Sequence, residues 1–333
     1  SKHGGGVGSA DVAPNGLAAS IKDILNEASQ YDTLRYVRDM TLVAPTDSNM
    51  ALMTVRELNT QIARGVRKRF NYDAETSGSL YPSLWMESFG SYSQQGEKFE
   101  SAGFKARTAG YMLGFDGTLD DDATIGVGYA FNRTDASSGG RKTDIEGHIV
   151  FAYAKYQPFA GYVRGTVSYG WADYKEKSAV EGVPLISKYN MNALNAETAA
   201  GYEFAQGLRY TRMTPDDYVD ALGQNVRQKD QELTTAIAAL HIRPDYDYNL
   251  YKIRPAAYVG LSYDISDPDR KTDVVIANMA YQIKSQKMPR LGVEGGVGMD
   301  VSAGGWDFSA EYDFDIRENY RSHTGMLKVR YNF

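Results

Sequence analysis

A chain of 333 residues is long enough for one large domain or two modest ones. It has no cysteine, which excludes disulfides and thiolate metal sites, and its net charge of −6 argues against a general nucleic-acid binder. No run of 18 apolar residues occurs, so no helical membrane span is expected; the negative mean hydropathy leaves strand spans open, because barrel strands spread their apolar residues in alternation.

Residues 1–16 are glycine-rich and read as a flexible lead-in, with no secretory signal in Ser1–Gly8 and the look of a mature, truncated or tagged start. From Leu17 the period becomes helical through Ile21, Ile24, Leu25 and Ala28, and a second short helix is expected over Asp32–Leu42, stopped by Pro45. Thr46, Asp47 and Ser48 then offer a helix cap for a run to Phe70 that contains no proline and one glycine, Gly65. At 100° per residue Val55, Leu58, Ile62 and Val66 gather on one stripe, with Arg56, Arg64 and Arg67 opposite and Lys68 at the margin. Such a basic amphipathic helix suits a solvated surface, a membrane surface (for which it lacks an aromatic apolar face), or the inside of a barrel with acidic walls.

After Tyr72 a period of two takes over. Twelve strands are expected, near 81–92, 104–119, 122–136, 143–157, 159–176, 187–204, 208–220, 230–246, 250–267, 286–301, 304–317 and 319–333. An even count with connections alternating in length predicts an antiparallel up-and-down barrel of the outer-membrane type. The short connections are Asp120–Asp121, Gln157–Phe159 and Asp247–Asn249; the long ones are 93–103, 136–142, 177–186, 221–229 and 268–285. Val274–Ile283 alternates too and is read as an extension beyond the membrane, because a thirteenth strand would break the even count. Pro255 is expected near a strand start, where no ladder bond is lost. In 122–136, Ala123, Ile125, Val127, Tyr129 and Phe131 share one face, against Thr124, Gly126, Gly128, Ala130 and Asn132; the small residues leave room in the lumen.

The end of the chain alternates most strictly. Trp306, Phe308, Ala310, Tyr312, Phe314 and Ile316 share a face, against Asp307, Ser309, Glu311, Asp313, Asp315 and Arg317. Gly325, Leu327, Val329, Tyr331 and Phe333 repeat the pattern against Met326, Lys328, Arg330 and Asn332. A soluble sheet of this kind needs a second layer over its apolar face, and none follows residue 80, which makes lipid the expected cover. Chemistry motifs are wanting: His3, His148, His241 and His323 are scattered, no HExxH or GxSxG occurs, and the glycines of Gly292–Gly298 precede no helix. Neither enzyme activity nor a cofactor or metal is expected.

In layout the chain resembles the translocator domain of classical autotransporters, the type V secretion family. The likeness covers about 46–333. It rests on the helix Ser48–Phe70, Leu84-Trp85-Met86, Gly110-Tyr111-Met112-Leu113-Gly114-Phe115-Asp116, Ala123–Asn132, Gly207-Leu208-Arg209-Tyr210-Thr211 and the terminal Val329-Arg330-Tyr331-Asn332-Phe333. Each piece is a weak motif; their order and spacing make the set specific. The resemblance implies a twelve-stranded barrel in the Gram-negative outer membrane over 73–333, one helix threaded through its lumen over 46–72, and a linker or passenger remnant over 1–45. It implies export of the protein's own passenger, outer-membrane lipid as surroundings, a monomer, and assembly machinery that reads Val329, Tyr331 and Phe333. Some members cut the passenger inside the barrel at an asparagine pair on the helix; here Asn59 stands before Thr60, so Asn59 is the candidate position. The alternatives are a stand-alone channel or porin and a barrel-wall hydrolase. Independently of the resemblance, Glu294, Asp300, Asp307, Glu311, Asp313 and Asp315 lie on polar strand faces, and so many like charges in a lumen need cations. Arg56, Arg64 and Arg67 are the expected source.

Overall fold

The computed structural model describes residues 48–70, 82–98, 102–120, 122–158, 161–180, 182–202, 204–220, 223, 225–266, 271–276, 279–284 and 287–333. The helices expected over residues 17–42 lie outside the described residues. Helix α1 (Ser48–Phe70) precedes the strands β1 (Ser83–Gln95), β2 (Phe104–Asp120), β3 (Ala123–Ser138), β4 (Arg141–Tyr156), β5 (Tyr162–Val180), β6 (Val183–Gly201) and β7 (Phe204–Pro215). Then come β8 (Tyr218–Val219), β9 (Asn225–Arg227), β10 (Gln231–Ile242), β11 (Tyr246–Tyr248), β12 (Tyr251–Asp264), β13 (Lys271–Ile276) and β14 (Met279–Lys284). The last three are β15 (Leu291–Ala303), β16 (Trp306–Arg317) and β17 (Tyr320–Asn332).

Twelve of these strands, β1–β7, β10, β12 and β15–β17, each pair antiparallel with two neighbours. β1 pairs β17 from Ser83↔Asn332 to Gln95↔Tyr320, and β10 pairs β12 from Thr235↔Asp264 to Ile242↔Ala257, so the sheet closes on itself. Closure removes every edge, which is what a sheet spanning lipid requires. The short β11 adds a hairpin to β12, and β8, β9, β13 and β14 form a separate four-stranded sheet in the order β14-β13-β9-β8. The alternating segment within 268–285 is therefore a hairpin of that second sheet rather than a thirteenth barrel strand.

Two of the connections expected to be long are corrected. The 136–142 segment is strand on both sides of a two-residue turn, Gly139 and Gly140, whose φ values of 55° and 81° give the turn that matches strand twist. Likewise most of 177–186 belongs to β5 and β6, which turn at Gly182 (φ 81°). Outside the lipid both faces of a strand meet water, so apolar alternation fades while the ladder continues. The strands expected over 187–204 and 208–220 begin earlier, at Val183 and Phe204. Pro255 is not at a strand start. It stands opposite Met299 of β15, beyond the point where β10 stops pairing at Ala257, so its missing N–H costs no ladder bond.

The alternation resolves into an outer apolar face and an inner polar one. Val127 is 59% exposed on the outside, with Phe308, Tyr312 and Tyr331 also exposed there; Tyr129 is half-buried on the same face, its hydroxyl 2.7 Å from His148 Nδ1. Inside lies α1. Leu58, Ile62 and Val66 pack on Trp85, Phe89, Met112 and Phe151, while Ala51, Leu52 and Val55 pack under a stack of Tyr174, Tyr189 and Tyr218. Because Tyr218 belongs to β8, the second sheet closes over the start of the helix.

Candidate functional site: the occupied lumen

Helix α1 touches the wall on opposite sides at once, which places it within the barrel. Its apolar stripe meets β1, β2 and β4; its polar stripe meets β12, β16 and β17. Arg56 reaches Asp264 at 3.3 Å, Arg64 reaches Asp313 at 3.6 Å, and Arg67 reaches Glu311 at 3.6 Å. The Arg67 guanidinium also lies 4.3 Å from the centroid of the Tyr258 ring, a favourable place for a cation. Glu57, the one acidic residue of α1, accepts hydrogen bonds from Ser322 Oγ at 2.7 Å and Thr324 Oγ1 at 3.3 Å. Lys328 Nζ donates to the Gly65 carbonyl at 2.7 Å and sits 4.3 Å over the Trp85 ring.

The six acidic wall residues divide into two sets. Glu311 and Asp313 meet the helix. The other four meet arginines of the wall itself. Glu294 takes a two-pronged contact from Arg209 at 2.9 and 3.2 Å, and Arg209 Nε donates to Glu197 at 2.6 Å. Asp307 pairs with Arg330 at 2.7 Å, Asp300 with Arg243 at 3.5 Å and Asp315 with Arg317 at 3.7 Å. These four are thus in direct contact with arginines of the wall, and Glu311 and Asp313 with those of the helix. Asp307 and Arg330 face each other in the β16–β17 ladder and Asp315 and Arg317 are two residues apart on β16, whereas Arg209 of β7 reaches Glu294 of β15 past β10 and β12.

Three partners escaped the sequence reading. Asp264 lies at the end of β12 and accepts from Arg56, from Arg317 Nη1 at 2.8 Å and from Thr235 Oγ1 at 2.8 Å. Its inward position follows from the outward Leu261 and Tyr263, so alternation along β12 was a usable signal. Arg209 and Arg317 carried no local signal beyond lying on a polar face.

Close approach also depends on a glycine. A Cβ on Gly296 would fall 1.9 Å from Asp313 Oδ1 and 2.8 Å from the Tyr258 ring, so β15 yields the space in which Asp313 faces Arg64. Asn59 is buried in the middle of α1, beside Thr60, within continuous helix. At the other end of the wall Val329, Tyr331 and Phe333 point outward; the Phe333 ring stands edge-on to Tyr331 at 5.0 Å, and its N–H donates to the Pro82 carbonyl at 3.2 Å. Among the described residues no group of three His, Cys, Asp or Glu side chains is placed to hold a metal.

Comparison with known proteins agrees with this architecture. The model of the family described as "Autotransporter beta-domain" matches residues 84–313. Outer membrane protein A of Rickettsia conorii is 23% identical over 333 residues, covering 91% of this chain and 16% of that protein. Outer membrane protein B of Rickettsia typhi is 24% identical over 297 residues, covering 75% of this chain and 17% of that protein. The chain thus spans about a sixth of the length of these relatives. Among solved structures, the translocator domain of the autotransporter NalP from Neisseria meningitidis superposes with a TM-score of 0.68 at 17% identity, covering 84% of this chain and 98% of that one. The β-domain of the Bordetella autotransporter BrkA gives 0.59 at 15% identity, covering 76% of this chain and 100% of that one. A closed twelve-stranded barrel, a helix in its lumen and a family match over most of the strands together fix the assignment: the chain belongs to the autotransporter β-domain family and is a translocator domain of the Gram-negative outer membrane.

Proposed function

We propose that α1 is the trailing end of a passenger exported through this barrel, and that it stays behind as a plug held by Arg56, Arg64 and Arg67. The carrying observation is where charges are matched. Four of the six acidic wall residues, Glu294, Asp300, Asp307 and Asp315, contact arginines of the wall at 2.7–3.7 Å. Arg56, Arg64 and Arg67 reach the wall at Asp264, Asp313 and Glu311. A wall that matches most of its own charge can serve as a conduit. A helix held by three ion pairs, a few hydrogen bonds and one apolar stripe is a guest that passes and then lodges.

On this reading the passenger leaves through the end covered by the second sheet, since α1 begins beneath it and runs towards the end where β1 starts and β17 stops. The barrel acts as a monomer, with one helix filling one lumen. Outer-membrane lipid surrounds it, and assembly machinery reads the outward Val329, Tyr331 and Phe333.

Ion conductance in planar bilayers tests the plug. Arg64→Glu with Arg67→Glu sets like charges against Asp313 and Glu311, and is expected to raise conductance and protease access to α1. Reversing Glu311 and Asp313 to lysine in the same protein is expected to restore part of the block, because the pairing rather than either charge matters. Added salt should weaken the coupling only modestly, since an occupied lumen screens less than open solvent. Unchanged conductance and proteolysis in the double reversal would refute charge-held plugging, and a large wild-type conductance would favour an open channel.

A further inference from the structure

On the outer face, the registers of β2, β1 and β17 bring outward side chains into rows. Lys105, Gln94 and Arg321 make the row farthest from the chain termini; Arg107, Tyr92 and His323 make the next; Ala109, Gly90 and Gly325 make the third. Lys105, Arg107 and Arg321 are exposed, and among the described residues none is in ion-pair contact with a carboxylate; Asp135, opposite Arg107 in the β2–β3 ladder, does not reach it. Elsewhere on this rim Arg133 holds Glu146, Lys177 holds Asp144 and Arg212 holds Asp230.

In the row below Arg107, Tyr92 and His323, β1 and β17 carry glycine, Gly90 and Gly325, while β2 carries Ala109. A Cβ added to Gly325 would meet nothing within 4 Å, and one added to Gly90 only the Thr108 carbonyl at 4.0 Å. Neither glycine is among those with positive φ. Packing and backbone conformation therefore give no reason for glycine at either place. What the two glycines do is leave open a groove of about 700 Å³, bounded by Met299, Tyr312 and Leu327.

The level of this site in the membrane follows from β17. Tyr331 and Trp306, with ring centroids 4.7 Å apart, lie near the chain terminus, at one edge of the apolar band. His323 is eight residues further along, ~27 Å at ~3.4 Å per residue, or about 20 Å along the membrane normal at a tilt of ~40°. His323, joined to Tyr312 through a 2.6 Å contact between the Tyr312 hydroxyl and Nδ1, thus stands close to the opposite edge of that band, with Phe314 beside it and Ile316 beside Arg321. Arg321 and Lys105 are at headgroup height with Arg107 one row below them, and the groove, which starts at Gly90 and Gly325 and spreads across β17, β16 and β15, lies in the acyl region on the Arg321 side.

We propose that this face docks a lipid bearing more than one phosphate, with the phosphates on Lys105, Arg107 and Arg321 and an acyl chain in the groove along Gly90 and Gly325. Charge complementarity selects an anionic headgroup, and three cations over two strand spacings suit more than a single negative charge. The adjoining apolar groove selects a lipid over a free anion.

Native mass spectrometry of the detergent-purified protein, with bis-phosphorylated lipid A as probe, tests this. Phosphatidylcholine and inorganic pyrophosphate serve as the zwitterionic, net-neutral comparison and the chain-free comparison, respectively. Wild-type protein is expected to retain the diphosphorylated lipid in preference to both. Lys105→Ser, Arg107→Ser and Arg321→Ser combined should lower retention at least about tenfold. Gly90→Leu with Gly325→Leu, which fills the groove and leaves every charge in place, should lower it too. Arg133→Ser, on a cation that already holds a carboxylate, should not. All substituted side chains face outward, and the gel-mobility difference between heated and unheated samples checks that each variant is folded. Full retention in the folded groove variant, full retention in the folded charge variant, or equal competition by pyrophosphate would each overturn the proposal. So would a dimer peak abolished by the groove variant, which would make a second copy of this chain the occupant.

Discussion

Asp313 illustrates what a single residue inside this barrel has to satisfy. It is 0% exposed, and Arg64 at 3.6 Å is the cation it faces. Removing one partner of a buried pair leaves the other charge uncompensated, so Arg64→Met is expected to destabilise the folded barrel by ~3–5 kcal/mol. Adding Asp313→Leu should recover most of the loss, because an apolar pair avoids burying any charge. Urea unfolding followed by tryptophan fluorescence measures both; equal losses in the single and double variants would mean that the pair does not act as a unit. On the outer face the rule inverts. Val127→Arg places a charge against lipid and should cost ~2–4 kcal/mol if Val127 lies near the midplane, falling towards zero near an interface. Which face a residue takes was legible from alternation: Asp313 inward and Val127 outward both follow from a period of two. Which partner it finds was not, because that depends on which strands the closed sheet makes neighbours and how far a side chain reaches past them. That is why Asp264, Arg209 and Arg317 were missed while Glu311 and Asp313 were named.

At the scale of elements, the helix was legible because its apolar and basic stripes are separated at a period of 3.6 and no proline interrupts them. The long hairpins β3–β4 and β5–β6 were only half legible: beyond the lipid Ser137 and Ser138, or Arg141 and Lys142, carry no apolar face to mark a strand. The small inward residues were read as room for the lumen's contents, and the structure gives part of that room to aromatic rings from the next strand. Trp85 lies over Gly114, Phe151 over Gly128 and Tyr153 over Gly126, with the Trp85 Nε1–H donating to the Tyr153 hydroxyl at 2.8 Å and that hydroxyl donating to Asp116 at 2.7 Å. Rings laid flat on glycines line the wall without filling the lumen, and Trp85 in turn carries Lys328, which holds the helix at Gly65. A Cβ on Gly114 would fall 2.1 Å from the Trp85 ring, so Gly114→Ala must displace it. Overpacking of this kind is expected to cost ~1–3 kcal/mol. It should also loosen the helix, visible as faster proteolysis within α1; Gly117→Ala, where a Cβ meets nothing within 4 Å, is the matched variant expected to change neither.

For the whole molecule, closure is the governing constraint, and it made the count of twelve readable before any contact was known: an open edge within lipid leaves backbone groups with no partner. The four-stranded sheet over the helix start was not readable, because β8 and β9 are two and three residues long and join β13 across a long stretch of chain. Closure also sets what the last residue can contribute. The seam between β1 and β17 is a ladder from Ser83↔Asn332 to Gln95↔Tyr320, and Phe333 lies just beyond it, exposed, with one backbone bond to Pro82 and one edge-on ring contact. A residue with so few contacts adds little to the stability of the folded barrel. If its outward ring is the feature that assembly machinery reads, deletion of Phe333 should separate two quantities that usually fall together. Unfolding of detergent-refolded protein should shift little, while in cells the shortened chain should accumulate in the periplasm instead of the outer membrane. Normal membrane insertion of the deletion variant would remove Phe333 from the assembly signal and leave Val329 and Tyr331 as its carriers. A large loss of refolded stability would instead assign Phe333 to sealing the β1–β17 seam.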